Sequence, residues 1–214
     1  MKGHRPGSLG YGEASIDLCM LMCEVYKEYS SLPQSSQSFV DIGSGIGNVV
    51  LQMAALNAET YSFCFGIELV TNRAHFAKQA SDVFTKKAVK SRIPFCEIRT
   101  NEGDCFRDSF CKNALRCAGL VWINNEVFKE EDDIKLLDLL NLVAPVGCIV
   151  MSFRELLVTK RHQPTTPQSN DAPDFVVRLP RELANSNSWD SDPSIPKKVY
   201  IIQRTTISPV AELK

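Results

Sequence analysis

Phe39-Val40-Asp41-Ile42-Gly43-Ser44-Gly45-Ile46-Gly47-Asn48-Val49-Val50-Leu51-Gln52 decides how the chain folds. Phe39 to Ile42 is a short, mostly apolar run of buried-strand length, the next five residues alternate glycine with other side chains, and a second apolar run continues to Leu56. Strand, glycine turn and helix therefore follow in order. Such a turn lets backbone approach a ligand closely, and the amides opening the next helix favour groups that carry negative charge. By itself the pattern also fits dinucleotide binding.

Outward from this stretch the alternation repeats. Upstream, Leu18, Met22, Val25 and Tyr29 stand three or four apart, which predicts an amphipathic helix over residues 14 to 30, ending near Ser30-Ser31-Leu32-Pro33. Downstream, the pattern predicts strands at 61 to 69, 94 to 99, 120 to 123 and 146 to 152, with helices at 71 to 88, 106 to 115 and 130 to 142 between them. Buried strands alternating with helices imply an α/β fold with a mostly parallel sheet. Residues 159 to 173 are polar, contain three prolines and read as a mobile loop. Phe175 to Leu179 and Lys198 to Gln203 are two further strand-like runs, expected to pair antiparallel at the sheet edge. The whole is expected to be one domain: a lead and helix at 1–38, a cofactor-binding core at 39–158, the loop at 159–173 and substrate-side strands at 174–206.

Composition narrows the class. With 214 residues, 44% of them hydrophobic, the chain can bury one sizeable core. No apolar run approaches the roughly 18 residues of a membrane span, and Met1 to Pro6 has no signal-peptide character, so an intracellular protein is expected. The eight cysteines form no Cys-x-x-Cys pair and mostly lie in apolar runs, which reads as reduced core thiols with no metal site. A formal net charge of −1 argues against general nucleic-acid binding, so contact with DNA-rich material must be local.

Three acids sharpen the glycine turn. Glu68 ends the second predicted strand in Gly66-Ile67-Glu68, where an open α/β sheet places the carboxylate that takes two ribose hydroxyls. Asp104, in Gly103-Asp104, follows the third strand, where an acid can accept the exocyclic amine of adenine; a plain turn aspartate is the bland alternative. Asp41 precedes the turn, a place suited to orienting the loop and bonding an amino-acid moiety. A sulfonium cofactor tolerates carboxylates, whereas a pyrophosphate would be repelled by them, so the set favours S-adenosylmethionine over NAD.

With Tyr11-Gly12-Glu13, the stretch Asp41 to Gln52, Gly66-Ile67-Glu68, Gly103-Asp104, Ile123-Asn124-Asn125-Glu126-Val127-Phe128, Ser188-Trp189 and Pro196 to Thr205 in this order, the chain resembles the disruptor-of-telomeric-silencing family over roughly residues 9 to 206. These are histone H3 lysine methyltransferases that lack a SET domain, and the chain looks like a compact, protozoan-like form. The resemblance implies a Rossmann-like class I S-adenosylmethionine-dependent methyltransferase fold with an antiparallel C-terminal edge. It implies that Tyr11 and Glu13 lie in a loop closing over the cofactor and that Gly43, Ser44, Gly45, Gln52, Glu68 and Asp104 bind it, with Asp41, Gly47 and Cys105 completing the set. Asn124 would stand where methyl meets lysine, at the carboxyl edge of the fourth strand where open α/β sheets hold their sites. Tyr200 would join it at the reacting centre, and Phe128, Trp189 and Tyr200 are the candidate walls of a lysine channel.

The chain departs from the family pattern at Glu126 and Val127, where Phe-Ala is usual, at Cys105, where an aromatic is common, and at Val199, where Tyr is frequent. The expected substrate is a lysine in the globular core of H3 within nucleosomes, in the nucleus. Contacts would fall to Lys86-Lys87-Lys90-Arg92, Lys160-Arg161 or Lys197-Lys198, which are otherwise solvated surface charge. Methylation of another protein or a small molecule, and an inactive chromatin-binding module, are the competing readings.

Overall fold

A computed structural model describes residues 15–30, 37–156, 175–183 and 197–205. In chain order the elements are α1 (Ile16–Tyr29), β1 (Ser38–Ile42), α2 (Asn48–Leu56), β2 (Phe63–Glu68), α3 (Thr71–Ser91), β3 (Glu97–Glu102), α4 (Ser109–Leu115), β4 (Ala118–Ile123), α5 (Glu130–Val143), β5 (Ile149–Ser152), β6 (Phe175–Leu183) and β7 (Lys197–Arg204). The strands form one seven-stranded sheet in the order β3-β2-β1-β4-β5-β7-β6. β1 to β5 run parallel, and β7 lies antiparallel to both β5 and β6. The expected α/β class, the antiparallel C-terminal edge and the order of elements are all present.

Alternation along the central strands divides the apolar side chains between two layers. Phe39, Leu120, Trp122, Ile149, Met151 and Val199 meet Leu18, Met22 and Tyr26 of α1 and Val50 and Met53 of α2. Val40, Ile42, Val121, Ile123 and Val150 point the other way, onto Leu115 of α4 and Leu136 and Leu140 of α5. β1 and β4 are buried at every position, which is why their sequences are continuous apolar runs interrupted only at Asp41 and a few small residues. Side-chain caps mark two helix starts: Ser15 accepts from the Leu18 amide at 3.4 Å, and Asp108 from the Cys111 amide at 2.6 Å. The Asp108 cap moves the start of α4 from the expected 106 to 109.

The third strand is displaced from its predicted place. It runs from Glu97 to Glu102, and the apolar residues that suggested 94 to 99 have other partners. Phe95 meets Phe84 edge-on at 5.6 Å between ring centroids, and the Cys96 thiol lies 3.4 Å from that of Cys64. β3 is an edge strand paired only with β2, so its polar sequence carried no apolar signal. All eight cysteines are free thiols, as read, and among the described residues no helix is long and apolar enough to cross a membrane.

β2 packs so closely under the glycine turn that Gly66 has no room for a side chain. A Cβ there would stand 2.8 Å from both Ser44 Oγ and Val50 Cγ2. Gly66→Ala is expected to cost about 1–3 kcal/mol in urea unfolding, the range for overpacking a core. Gly103→Ala, whose Cβ would first meet the flexible Asp108 Oδ2 at 3.2 Å, should cost clearly less. Equal midpoints for Gly66→Ala and the parent would show that the turn yields.

Candidate functional site

The carboxyl ends of β1, β2 and β4 open into one cavity of about 720 Å³. Its floor begins at the turn, where Gly43, Gly45 and Gly47 all adopt positive φ (80°, 57° and 87°), a backbone that other residues rarely take. The amides of Gly43 and Ser44 both donate to the carbonyl of Ile67, at 2.9 and 3.0 Å, so the turn is folded back onto β2. Gly47 is not a wall of the cavity: a Cβ there would lie 3.3 Å from Ala77 Cβ, so its small size serves the packing of α2 on α3.

Glu68 is tied at both oxygens. Oε2 accepts from the Gly45 amide and Oε1 from the Val70 amide, each at 2.8 Å. The carboxylate is nearly buried, yet each oxygen keeps a second lone pair that a pair of hydroxyls can use. Asp41, in register with Gly66 on one side and Trp122 on the other, is 2% exposed. Burial, and then the charge of Glu68, push its carboxyl up from 3.8 to about 8. A cation brought into the cavity would reverse that shift.

The third wall comes from the residues after β3. Asp104 Oδ1 accepts from the Phe106 amide at 3.0 Å, and its Oδ2 lies 3.5 Å from Arg107 Nε. Cys105 and Phe106 continue the wall, and burial raises the Cys105 thiol to about 12, so it serves as an apolar group here. Opposite, Phe128 brings its ring over the turn, 3.8 Å from where a Cβ of Gly43 would stand. Asn124, the first residue past β4, also lines the cavity. Its Oδ1 is buried without a hydrogen-bond partner among the described residues. A buried acceptor left unpaired costs about 1–3 kcal/mol, which a donor on a ligand would recover.

Of the residues singled out in the sequence, Asp41, Gly43, Ser44, Gly45, Glu68, Asp104, Cys105, Asn124 and Phe128 therefore surround one cavity. Gln52 sits on α2 and Tyr200 on β7 opposite Ser152, and neither lines it. Tyr11, Glu13, Trp189, the loop at 159–173 and Lys160-Arg161 lie outside the described residues. Lys86, Lys87 and Lys90 are exposed on α3 and Lys198 on β7. Trp122, Asn48 and Arg73 also line the cavity. Only the register of a strand or helix marks them in the sequence, and that register needs the sheet to be interpreted.

Fold and site together define a class: a parallel sheet with an antiparallel C-terminal hairpin and a glycine turn facing acids is the fold of class I S-adenosylmethionine-dependent methyltransferases. SibL, an S-adenosylmethionine-dependent methyltransferase solved in its apo form, matches with TM-score 0.53 at 13% identity over 89% of this chain and 55% of its own. Precorrin 8w decarboxylase from Methanobacterium thermoautotrophicum matches with TM-score 0.51 at 13% identity over 92% and 93%. At that identity the likeness concerns the fold alone. The sequence profile of the family described as Histone methylation protein DOT1 matches residues 5–200, and the chain belongs to that family.

Curated relatives named "Histone-lysine N-methyltransferase, H3 lysine-79 specific" include proteins of Gibberella zeae (32% identity over 59% of this chain and 25% of the relative), Drosophila melanogaster (33%, over 59% and 6%) and Emericella nidulans (28%, over 84% and 34%). The aligned chain thus spans about a third or less of the length of these relatives.

The raised carboxyl of Asp41 has a measurable consequence for stability. A group that holds its proton more tightly folded than unfolded contributes stability that is complete below 3.8 and is lost as pH rises through about 8. Without ligand, the urea midpoint of the parent should therefore fall relative to Asp41→Asn between these two values. Parallel curves for the two proteins would mean that Asp41 is ionised in the empty cavity.

Proposed function

We propose that this chain is an S-adenosylmethionine-dependent lysine N-methyltransferase acting on the globular core of histone H3 in nucleosomes. The observation that carries this reading is the buried Oδ1 of Asn124, without a hydrogen-bond partner among the described residues, sharing a cavity with the glycine turn and Glu68. The family membership and the printed names of the relatives support the choice of substrate, and they favour a nuclear protein bound to chromatin.

The residues present fit the cofactor. Glu68, already oriented by two amides, would accept the ribose diol, and Asp104 the exocyclic amine of the adenine beside Cys105 and Phe106. Asp41 would face the cationic amino-acid end, which relieves the penalty its burial imposes on the ionised carboxyl. Tyr11 and Glu13 are proposed to close over it, and Gln52 to support the turn from α2. When bound, the cofactor supplies an electrophilic methyl group on a cationic sulfur.

The chain must then present a neutral amine, although a free lysine titrates near about 10.4. Apolar walls disfavour the ammonium form, and in-line alignment lowers the barrier further. Phe128 is proposed as one such wall, with Trp189 and Tyr200, the latter outside the cavity described above, as the others, and Asn124 Oδ1 would accept an N–H of the incoming amine. Lys86-Lys87-Lys90-Arg92, Lys160-Arg161 and Lys197-Lys198 are the proposed contacts with nucleosomal DNA or a histone acidic surface.

Methyl transfer from labelled S-adenosylmethionine to nucleosomes, free H3 and an H3 tail peptide tests the reading. A core lysine should be labelled in nucleosomes, and Asn124→Ala should lower that rate by roughly 100-fold or more, the scale of losing one positioned polar contact at a reacting centre. Cofactor binding without histone labelling would point to another substrate or to an inactive binding module. Glu68→Gln should weaken cofactor affinity by about tenfold or more in calorimetry, since bonds to a charged acceptor are worth roughly 1.5–3 kcal/mol. An unchanged affinity would remove Glu68 from the site.

A further inference from the structure

Among the described residues the side-chain oxygen of Asn124 has no hydrogen-bond partner, so its position has to be set by its neighbours. The next residue, Asn125, is completely buried and uses its whole side chain in doing so. Its Nδ2 donates to Asp133 Oδ1 and to the carbonyl of Arg154, both at 3.1 Å, and its Oδ1 accepts from the Arg154 amide at 2.8 Å. The Arg154 guanidinium closes the ring: Nη2 lies 3.1 Å from Asp133 Oδ2, and Nη1 donates to the carbonyl of Asn125 at 3.2 Å and to that of Phe128.

Three separate parts of the chain meet here: the loop after β4, the first turn of α5 and the residues leaving β5. The second and last residues of the segment 124–128 carry the carbonyls that Arg154 holds, and the Phe128 amide donates back to the Asn125 carbonyl at 3.2 Å. Ser152 Oγ in turn holds the Arg154 carbonyl at 2.8 Å. Arg154 itself does not line the cavity, and its side chain is 41% exposed, whereas that of Asp133 is 1% exposed.

We propose that Arg154, acting with Asp133 and Asn125, is a positioning residue that sets Asn124 and Phe128 in register with the reacting centre. This rests on the methyltransferase reading above. A guanidinium is required because one planar group must reach two carbonyls and a carboxylate at once, which an ammonium on a flexible stem cannot do. The ring therefore fixes geometry, and a displacement of about 1 Å at a reacting centre can cost about 100-fold in rate.

Arg154→Lys is the first variant, measured with nucleosomes. Its kcat should fall by roughly 10- to 100-fold while KM and the affinity for the cofactor stay within about threefold of the parent. In an Asn124→Ala background the same substitution should cost clearly less than in the parent, the remainder coming through Phe128, because groups acting through one another are not additive. Asp133→Asn, which keeps the shape of the side chain, should repeat the pattern if Arg154→Lys does not fold. An unchanged kcat, a full additive loss on Asn124→Ala, or cofactor affinity falling in step with kcat would overturn the proposal.

If the parent labels no histone at all, the fault lies with the methyltransferase reading, and nuclear magnetic resonance decides the positioning role without substrate. The side-chain amide signals of Asn124 should shift or broaden in Arg154→Lys while the Gly45 amide, held by Glu68, stays in place. Asn124 signals identical to those of the parent would sink the idea.

Discussion

The bond from the Gly45 amide to Glu68 Oε2 is the constraint on which the rest of the site depends. It joins the turn after β1 to the end of β2, and the second oxygen of the same carboxylate takes the Val70 amide at the start of α3. One buried acid thus fixes the backbone of two adjacent strand-to-helix junctions. Gly43, Gly45 and Gly47 of the turn lie in the left-handed region, the Gly43 and Ser44 amides donate to the Ile67 carbonyl, and the Gly45 amide is left in need of an acceptor. Glu68 supplies that acceptor and keeps lone pairs facing the cavity.

Such an arrangement is stabilised from both faces of the sheet. The layers built on α1 and α2 and on α4 and α5 hold β1 and β4 so tightly that Asp41 within β1 is buried, as is the side-chain oxygen of Asn124 just past β4. Desolvation raises the Asp41 carboxyl, and the buried Asn124 oxygen has no hydrogen-bond partner among the described residues. Both penalties are ones that a cationic ligand with amine donors would offset, which is why these groups read as a site and not as errors of packing.

The C-terminal hairpin supports this from the far side. β7 is inserted between β5 and β6, and Arg204 at its end donates from Nη1 to the carbonyls of Leu140 and Ala144 at the C-terminus of α5. A cation at that end of a helix also complements the helix dipole. α5 is thereby held at both ends, by Arg204 at its last turn and by Asp133 in the ring with Asn125 and Arg154 at its first.

The sequence by itself determined the order of strands and helices, the antiparallel hairpin and several residues that line the cavity, because these depend on local properties: apolar runs, glycines in a turn and polar residues at strand ends. Glu68, Asp104 and Asn124 were legible for that reason. β3 lies at Glu97–Glu102 and not at the apolar run before it because an edge strand has one partner and needs no apolar face. Tertiary structure alone decided that Gly47 serves α3, that Gln52 and Tyr200 stand away from the cavity walls, and that Asn125, Asp133 and Arg154 form one ring. Residues 125 and 154 are far apart in the chain, and only the parallel pairing of β4 with β5 brings their ends together. A ring of hydrogen bonds and one ion pair across three elements leaves no periodic trace in sequence, since its members are chosen by direction and distance.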